Sequence, residues 1–156
     1  QTDPNFANYQ YDQDTQKVVL LDFGATRVYT PQMAESYRQL MQSASKHETQ
    51  NIRQAILDIG LIRQDLPEKV QQNITDLAYM ACEPLYGESP YDFAASDLSS
   101  RLQNQGMQLG LEKEYTHTPS ANAIFLHRKL GGLFLLAIKL KAKVDMQSLF
   151  APYNNV

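Results

Sequence analysis

With 156 residues, 43% hydrophobic and 20% charged, the chain carries enough apolar mass for one folded unit, and no long block of like charge marks it as disordered. A net charge of −3 gives no basic footprint for nucleic acid, and nucleic-acid binding is not expected. A single cysteine, Cys82, allows no internal disulfide, and His47, His117 and His127 have no Cys or His at zinc-ligand spacing.

The chain opens on a polar loop, Gln1-Thr2-Asp3-Pro4-Asn5. Tyr9 to Tyr11 and Lys17 to Leu21 then form two short aromatic and β-branched runs around the polar turn Asp12 to Gln16, which predicts a β-hairpin. Antiparallel partners lie about 4.5 to 5.5 Å apart, so Asn8 at the start of the hairpin is expected to face Asp22 at its end. Mg²⁺ prefers hard oxygen ligands and keeps waters and phosphate oxygens in its shell, so one amide oxygen and one carboxylate suffice from a protein. Asn8 and Asp22 are that pair, and Asp3 is the candidate base that accepts a proton from an attacking hydroxyl or water. D-x-x-x-x-N, a strand, and then Asp22-Phe23-Gly24 is the order in which a kinase holds metal and nucleotide phosphates. Neither motif is specific alone; the fourteen positions from Asn8 to Asp22 and the strand between them are. The plainer alternative is an ordinary hairpin with polar ends.

Only Ala25 to Tyr29 separate Gly24 from Thr30-Pro31, which reads as a helix N-cap followed by proline at the first helical position. That leaves no long activation segment ending in A-P-E to seat a peptide, so a protein substrate is not expected. Met33, Tyr37, Leu40, Met41 and Ala44 recur at helical spacing, as do Ile52, Ala55, Ile56 and Ile59 before Gly60, a C-terminal stop. Pro67 and Glu68 open a third helix with a stripe of Val70, Ile74, Leu77, Ala78 and Ala81, and all three stripes are expected to form the core. Cys82 is read as a buried packing residue. Glu83 to Tyr91, with Pro84, Gly87 and Pro90, is a breaker-rich connection. A weaker helix covers Leu98 to Met107 and ends near Gly106 and Gly110; polar Tyr115 to Ser120 leads to a long final helix from about Asn122.

No acid occurs between Glu114 and Asp145, while Arg128, Lys129, Lys139, Lys141 and Lys143 flank the apolar run Leu130 to Ile138. The run is shorter than the about 20 residues that span a bilayer, so no transmembrane segment is expected. Apolar character all round predicts a buried core helix. Its basic ends keep peripheral contact with lipid headgroups as a secondary expectation.

Gln1-Thr2-Asp3-Pro4-Asn5, Leu21-Asp22-Phe23-Gly24-Ala25-Thr26-Arg27 and His127-Arg128-Lys129-Leu130-Gly131-Gly132 together resemble the UbiB/AarF family of atypical kinases. The resemblance spans nearly the whole chain and implies a mainly α fold with a short β-hairpin, the C-terminal lobe of a protein-kinase-like fold. Residues 1–29 would hold the catalytic loop, hairpin and metal-binding segment, and 30–156 the helical lobe. It implies ATP and Mg²⁺ as cofactors and support of ubiquinone biosynthesis. Asp3 takes the catalytic-loop aspartate role, Asn8 the second metal ligand and Asp22 the principal one, with Phe23 and Gly24 completing the nucleotide-binding segment. Thr2 and Gln1 stand where ordinary protein kinases carry Arg and His, so the usual anchor for a phosphorylated activation loop is missing.

The phosphate-covering loop, the strand lysine, and the family's alanine-rich loop and K-x-G-Q extension are not in these residues. The chain is therefore read as a fragment without the N-terminal lobe, inactive alone, whose full-length parent is an atypical kinase or ATPase. Expected partners are nucleotide, a lipid or quinone precursor, and quinone-biosynthesis proteins. The expected compartment is the bacterial cytoplasm or the mitochondrial matrix, with membrane-peripheral contact. Two alternatives stand beside this. One is a non-catalytic, nucleotide-gated scaffold for quinone-biosynthesis proteins. The other is a phosphotransferase of aminoglycoside or choline kinase type, which usually carries a further acid where this chain has Phe23, Gly24 and Ala25.

Overall fold

In the computed structural model, which describes residues 2–111 and 118–154, strands β1 (Tyr9–Asp12) and β2 (Lys17–Leu20) pair antiparallel from Tyr9 opposite Leu20 to Asp12 opposite Lys17. Asp12 closes the turn by accepting the N–H groups of Asp14 and Thr15 on one carboxylate oxygen and the Thr15 hydroxyl on the other. Gln16 completes the reversal in the left-handed region at φ 53°. Asp12 thus extends the first strand, and Leu21 lies beyond the second.

Helix α1 (Pro31–Ser45) begins as its sequence predicts, with Thr30 Oγ1 accepting the Met33 N–H at 3.2 Å and Pro31 in the first turn. Helix α2 (Thr49–Ile59) stops at Gly60, whose φ of 81° suits glycine, and the Leu61 N–H reaches back to the Ile56 carbonyl. Helix α3 (Glu68–Ala81) follows, and α1, α2, α3 and α4 (Leu98–Leu111) each pack on the next. Their shared core holds Tyr37, Leu40 and Ala44 from α1, Ile52, Ala55, Ile56 and Ile59 from α2, and Val70 and Ile74 from α3. Ile52 and Ile56 are fully buried, and each such side chain stabilises by roughly 1.5 to 3 kcal/mol. Leu77 and Ala78 pack against this core, but Ala81 is exposed because the chain leaves the helix there for a 3₁₀ turn, Glu83–Leu85. Cys82 is buried at the junction, and desolvation pushes its thiol up to about 12.

Helix α4 runs through Gly106 and Gly110 to Leu111, past the stop that its glycines suggest. A glycine inside a helix costs about 1 kcal/mol, and burial of Leu98 and Leu109 in the two halves of the core offsets that cost. A second sheet, absent from the sequence reading, pairs β3 (Tyr91–Asp92) with β4 (Lys143–Val144), reinforced by a 2.8 Å ion pair between Lys143 and Asp92. A short helix α6 (Met146–Phe150) follows. Gln1, Glu114, Tyr115 and His117, which the sequence reading used, lie outside the described residues.

Helix α5 (Ala121–Lys139) is capped by Ser120, and Ala123 is its one fully buried residue. The expectation of a buried core helix is therefore wrong, for a physical reason. One face of α5 packs on the helical core through Ala123 and Leu126 and on the Tyr91, Phe93, Leu98 cluster through Phe134, Ala137 and Ile138. A different face meets the N-terminal loop, and a remaining edge with Ile124 and Leu135 stays open. At 19 residues α5 is long and apolar enough to cross a membrane by length and composition, which corrects the argument from run length. Arg128 and Lys129 near its centre bond Asp3 and Tyr9 instead.

Candidate nucleotide and metal site

The N-terminal loop and the segment after the hairpin are tied together at two places. Leu21 donates its N–H to the Asn8 carbonyl at 2.9 Å, so the hairpin ladder continues one residue beyond the strands. Buried Thr2 donates both its N–H (2.6 Å) and its hydroxyl (2.8 Å) to the Ala25 carbonyl. Asp3 lies on the first tied segment and Asp22 on the second.

This register modifies the expected pairing. The four-residue loop 13–16 sets Asp12 against Lys17 and Tyr9 against Leu20. Leu21, not Asp22, therefore sits across from Asn8, and Asp22 is the next residue. Asp22 Oδ1 accepts the Gly24 N–H at 2.8 Å, which turns the chain sharply at Phe23. The Thr26 hydroxyl fixes the same turn from the other side by donating to the Phe23 carbonyl. Asp22 Oδ2 and the Asn8 side-chain amide have no partner among the described residues.

Both groups carry hard oxygen donors, the chemistry that Mg²⁺ prefers, and Asp22 lies one residue past the Leu21 that pairs with Asn8. Among the described residues, no group of three or more His, Cys, Asp or Glu side chains is placed to hold an ion. Along the hairpin and the segment after it, Val18, Val19, Leu20, Leu21, Phe23 and Val28 are exposed.

Asp3, the candidate base, is ion-paired to Arg128 of α5, Nη2 to Oδ1 at 3.2 Å. Asn5, two residues on, accepts the Ala7 N–H and starts the 3₁₀ turn Phe6–Asn8 that delivers Asn8 to the hairpin. Arg27 donates to Asn122 at 3.0 Å and lies over the Phe125 ring, 3.8 Å from its centroid. Lys129 donates to the Tyr9 hydroxyl at 2.9 Å, and Lys139 stands 4.3 Å above the Phe6 ring. Behind the site, Tyr37 Oη and His127 Nε2 are 3.0 Å apart. Desolvation lowers the imidazole's pKa and raises the phenol's.

The sequence pattern singles out Asp3, Asn8 and Asp22 but not Thr2 or Arg128, which pairs with Asp3. The signal was present: residues 128 and 132 are one helical turn apart and belong to the His127 to Gly132 motif. The pattern shows Thr2 only as standing where ordinary protein kinases carry arginine, whereas its N–H and hydroxyl both make the tie.

Comparison with known proteins gives the same direction. Residues 1–56 match the ABC1 atypical kinase-like domain. The chain is 30% identical over 150 residues to the mitochondrial atypical kinase COQ8B of Rattus norvegicus, covering 96% of this chain and 28% of that protein. It is 31% identical to the mitochondrial atypical kinase COQ8 of Schizosaccharomyces pombe, covering 97% of this chain and 25% of that protein. The corresponding Saccharomyces cerevisiae protein is 31% identical, at 96% and 30% coverage. The chain thus spans between a quarter and a third of the length of these relatives.

Proposed function

Because the chain belongs to the UbiB/AarF family of ABC1 atypical kinase-like proteins, we propose that it supplies the metal-binding and proton-accepting part of an ATP-dependent kinase or ATPase that supports ubiquinone biosynthesis. The observation that carries this reading is the double tie, Leu21 to Asn8 and Thr2 to Ala25, which keeps Asp3, Asn8 and Asp22 on two joined segments.

Asn8 and Asp22 would hold Mg²⁺ together with the nucleotide's phosphates. The bound ion supplies positive charge to the phosphate oxygens. Asp3 accepts the proton of the acceptor hydroxyl as that oxygen forms its bond to the γ-phosphorus. The bond between phosphorus and the bridging oxygen breaks, and ADP leaves with the electron pair. With water as acceptor the same step is ATP hydrolysis. The exposed apolar residues of the hairpin are surface for the nucleoside and for the rest of the full-length protein.

The acceptor is a small molecule, a quinone-lipid precursor or water. Only five residues, Ala25 to Tyr29, lie between Gly24 and the Thr30 cap of α1, which leaves no segment to seat a peptide. The relatives' names place them in mitochondria, which favours the matrix for this protein. Lys139, Lys141 and Lys143 offer it peripheral contact with anionic headgroups.

Turnover by the full-length protein tests the proposal. Asp3→Asn should lower it by about 10²-fold or more while nucleotide binding stays within a few-fold. Asp22→Asn should abolish it. Wild-type turnover in both variants ends the enzyme reading.

A further inference from the structure

Residues 125, 128, 129, 132 and 139 share one side of α5, because steps of three, four and seven return a helix to the same face. Each meets the N-terminal segment: Phe125 stacks under Arg27, Arg128 pairs with Asp3, Lys129 bonds Tyr9, Gly132 abuts Pro4 and Lys139 covers Phe6. Two of these contacts fall on consecutive loop residues, Asp3 and Pro4, from positions one turn apart on the helix.

The two contacts are of opposite kinds. Arg128 reaches out with a planar, charged fork whose Nη2 lies 3.2 Å from Asp3 Oδ1. Gly132 works by having no side chain: a Cβ there would lie 2.0 Å from Pro4 Cγ, 3.0 Å from its Cβ and 3.3 Å from its Cδ. A proline ring cannot swing aside as a flexible side chain does, so any larger residue at 132 must shift α5 and the loop that carries Asp3 relative to one another.

We infer that Arg128 is a positioning residue for Asp3, and that Gly132 sets the depth at which the catalytic loop seats on α5. The inference rests on the reading of Asp3 as the proton acceptor. A base must present its carboxylate within about 2.6 to 3.2 Å of the proton that it takes, and a misplacement of about 1 Å can cost 10²-fold in rate. Asp3 sits in an irregular loop, and Arg128, 125 residues away in sequence, holds its Oδ1. Arg128 touches neither Asn8 nor Asp22, so its effect falls on the chemical step and not on nucleotide affinity.

Steady-state kinetics and Mg-ATP binding of the full-length protein separate these effects. Arg128→Gln should lower kcat about 10- to 100-fold with Mg-ATP Kd within about threefold of wild type, and Arg128→Lys should recover part of the loss, since a lysine keeps the charge but not the fork. Arg128→Gln combined with Asp3→Asn should be no slower than Asp3→Asn alone. Gly132→Ala should lower kcat in the same way, and adding Pro4→Ala, which removes the closest ring atom, should restore part of it. An unchanged or raised kcat in Arg128→Gln, or an equal loss of Mg-ATP affinity, overturns the inference. Wild-type turnover in Asp3→Asn instead overturns the underlying assignment of the base, which is a different variant and a different result.

Discussion

Tyr37 and His127 join α1 to α5 through a 3.0 Å contact between the phenol oxygen and Nε2, their rings meeting edge to face at 82°. The link lies between the helical core, where Tyr37 is buried, and Arg128, the next residue, which holds Asp3. Desolvation depresses the His127 pKa below its ordinary 6.5. The folded state therefore binds fewer protons than the unfolded chain as pH falls below about 6.5. The stability from neutral His127 is present above that pH and is lost on acidification. Thermal melting between pH 7.5 and 5.5 should show a steeper fall for wild type than for His127→Gln; parallel curves would contradict this.

Asp145 should titrate far below a normal aspartate. The Ser148 hydroxyl, the Ser148 N–H and the Ser89 hydroxyl all bond its carboxylate and lower its pKa from 3.8 to about 2. A depressed acid contributes stability above its unfolded value, and that contribution is lost as pH falls from about 4 towards 2. Carboxyl carbon NMR shifts followed through an acid titration check the midpoint, and a midpoint near 3.8 would remove the cap from the account.

Burial predicts opposite outcomes for two leucine-like positions. Ile56, fully buried, should cost about 2 to 5 kcal/mol on replacement by Ala. Leu135 on the open edge of α5 is 60% exposed, and Leu135→Ala should change stability by no more than about 0.5 kcal/mol. Urea unfolding measures both, and a large loss at Leu135 would mean that a partner surface covers α5.

Thr2→Val removes the hydroxyl donated to the Ala25 carbonyl and keeps the shape and the N–H bond. It should destabilise by about 0.5 to 1.5 kcal/mol and lower turnover by loosening one of the two ties around Asp3. Retained turnover with reduced stability would assign Thr2 to folding alone.

The helical stripes, the Thr30 cap and the Gly60 stop were legible in the sequence because periodicity and caps are local signals, and only Ala81, at the end of the third stripe, departs from the core. The hairpin was legible too, although its register was not: Tyr9 pairs with Leu20, which sets Asn8 opposite Leu21, one residue short of Asp22. β3 and β4 are two residues each and 51 positions apart at their closest ends, so no pattern announces them. Helix α5 misled because apolar residues on every side usually mean burial on every side. Here one side is core and another carries the N-terminal loop. That second surface is a long-range contact, visible in sequence only as an unexplained motif.

The most direct test of the central claim is the Mg²⁺ dependence of ATP affinity in the full-length protein. If Asn8 and Asp22 hold the ion, wild type should bind ATP at least about tenfold more tightly with Mg²⁺ than with chelator, a difference of about 1.4 kcal/mol. Asn8→Ala and Asp22→Asn should each lose most of that gain. An equal Mg²⁺ effect in wild type and both variants would place the ion elsewhere and contradict the account.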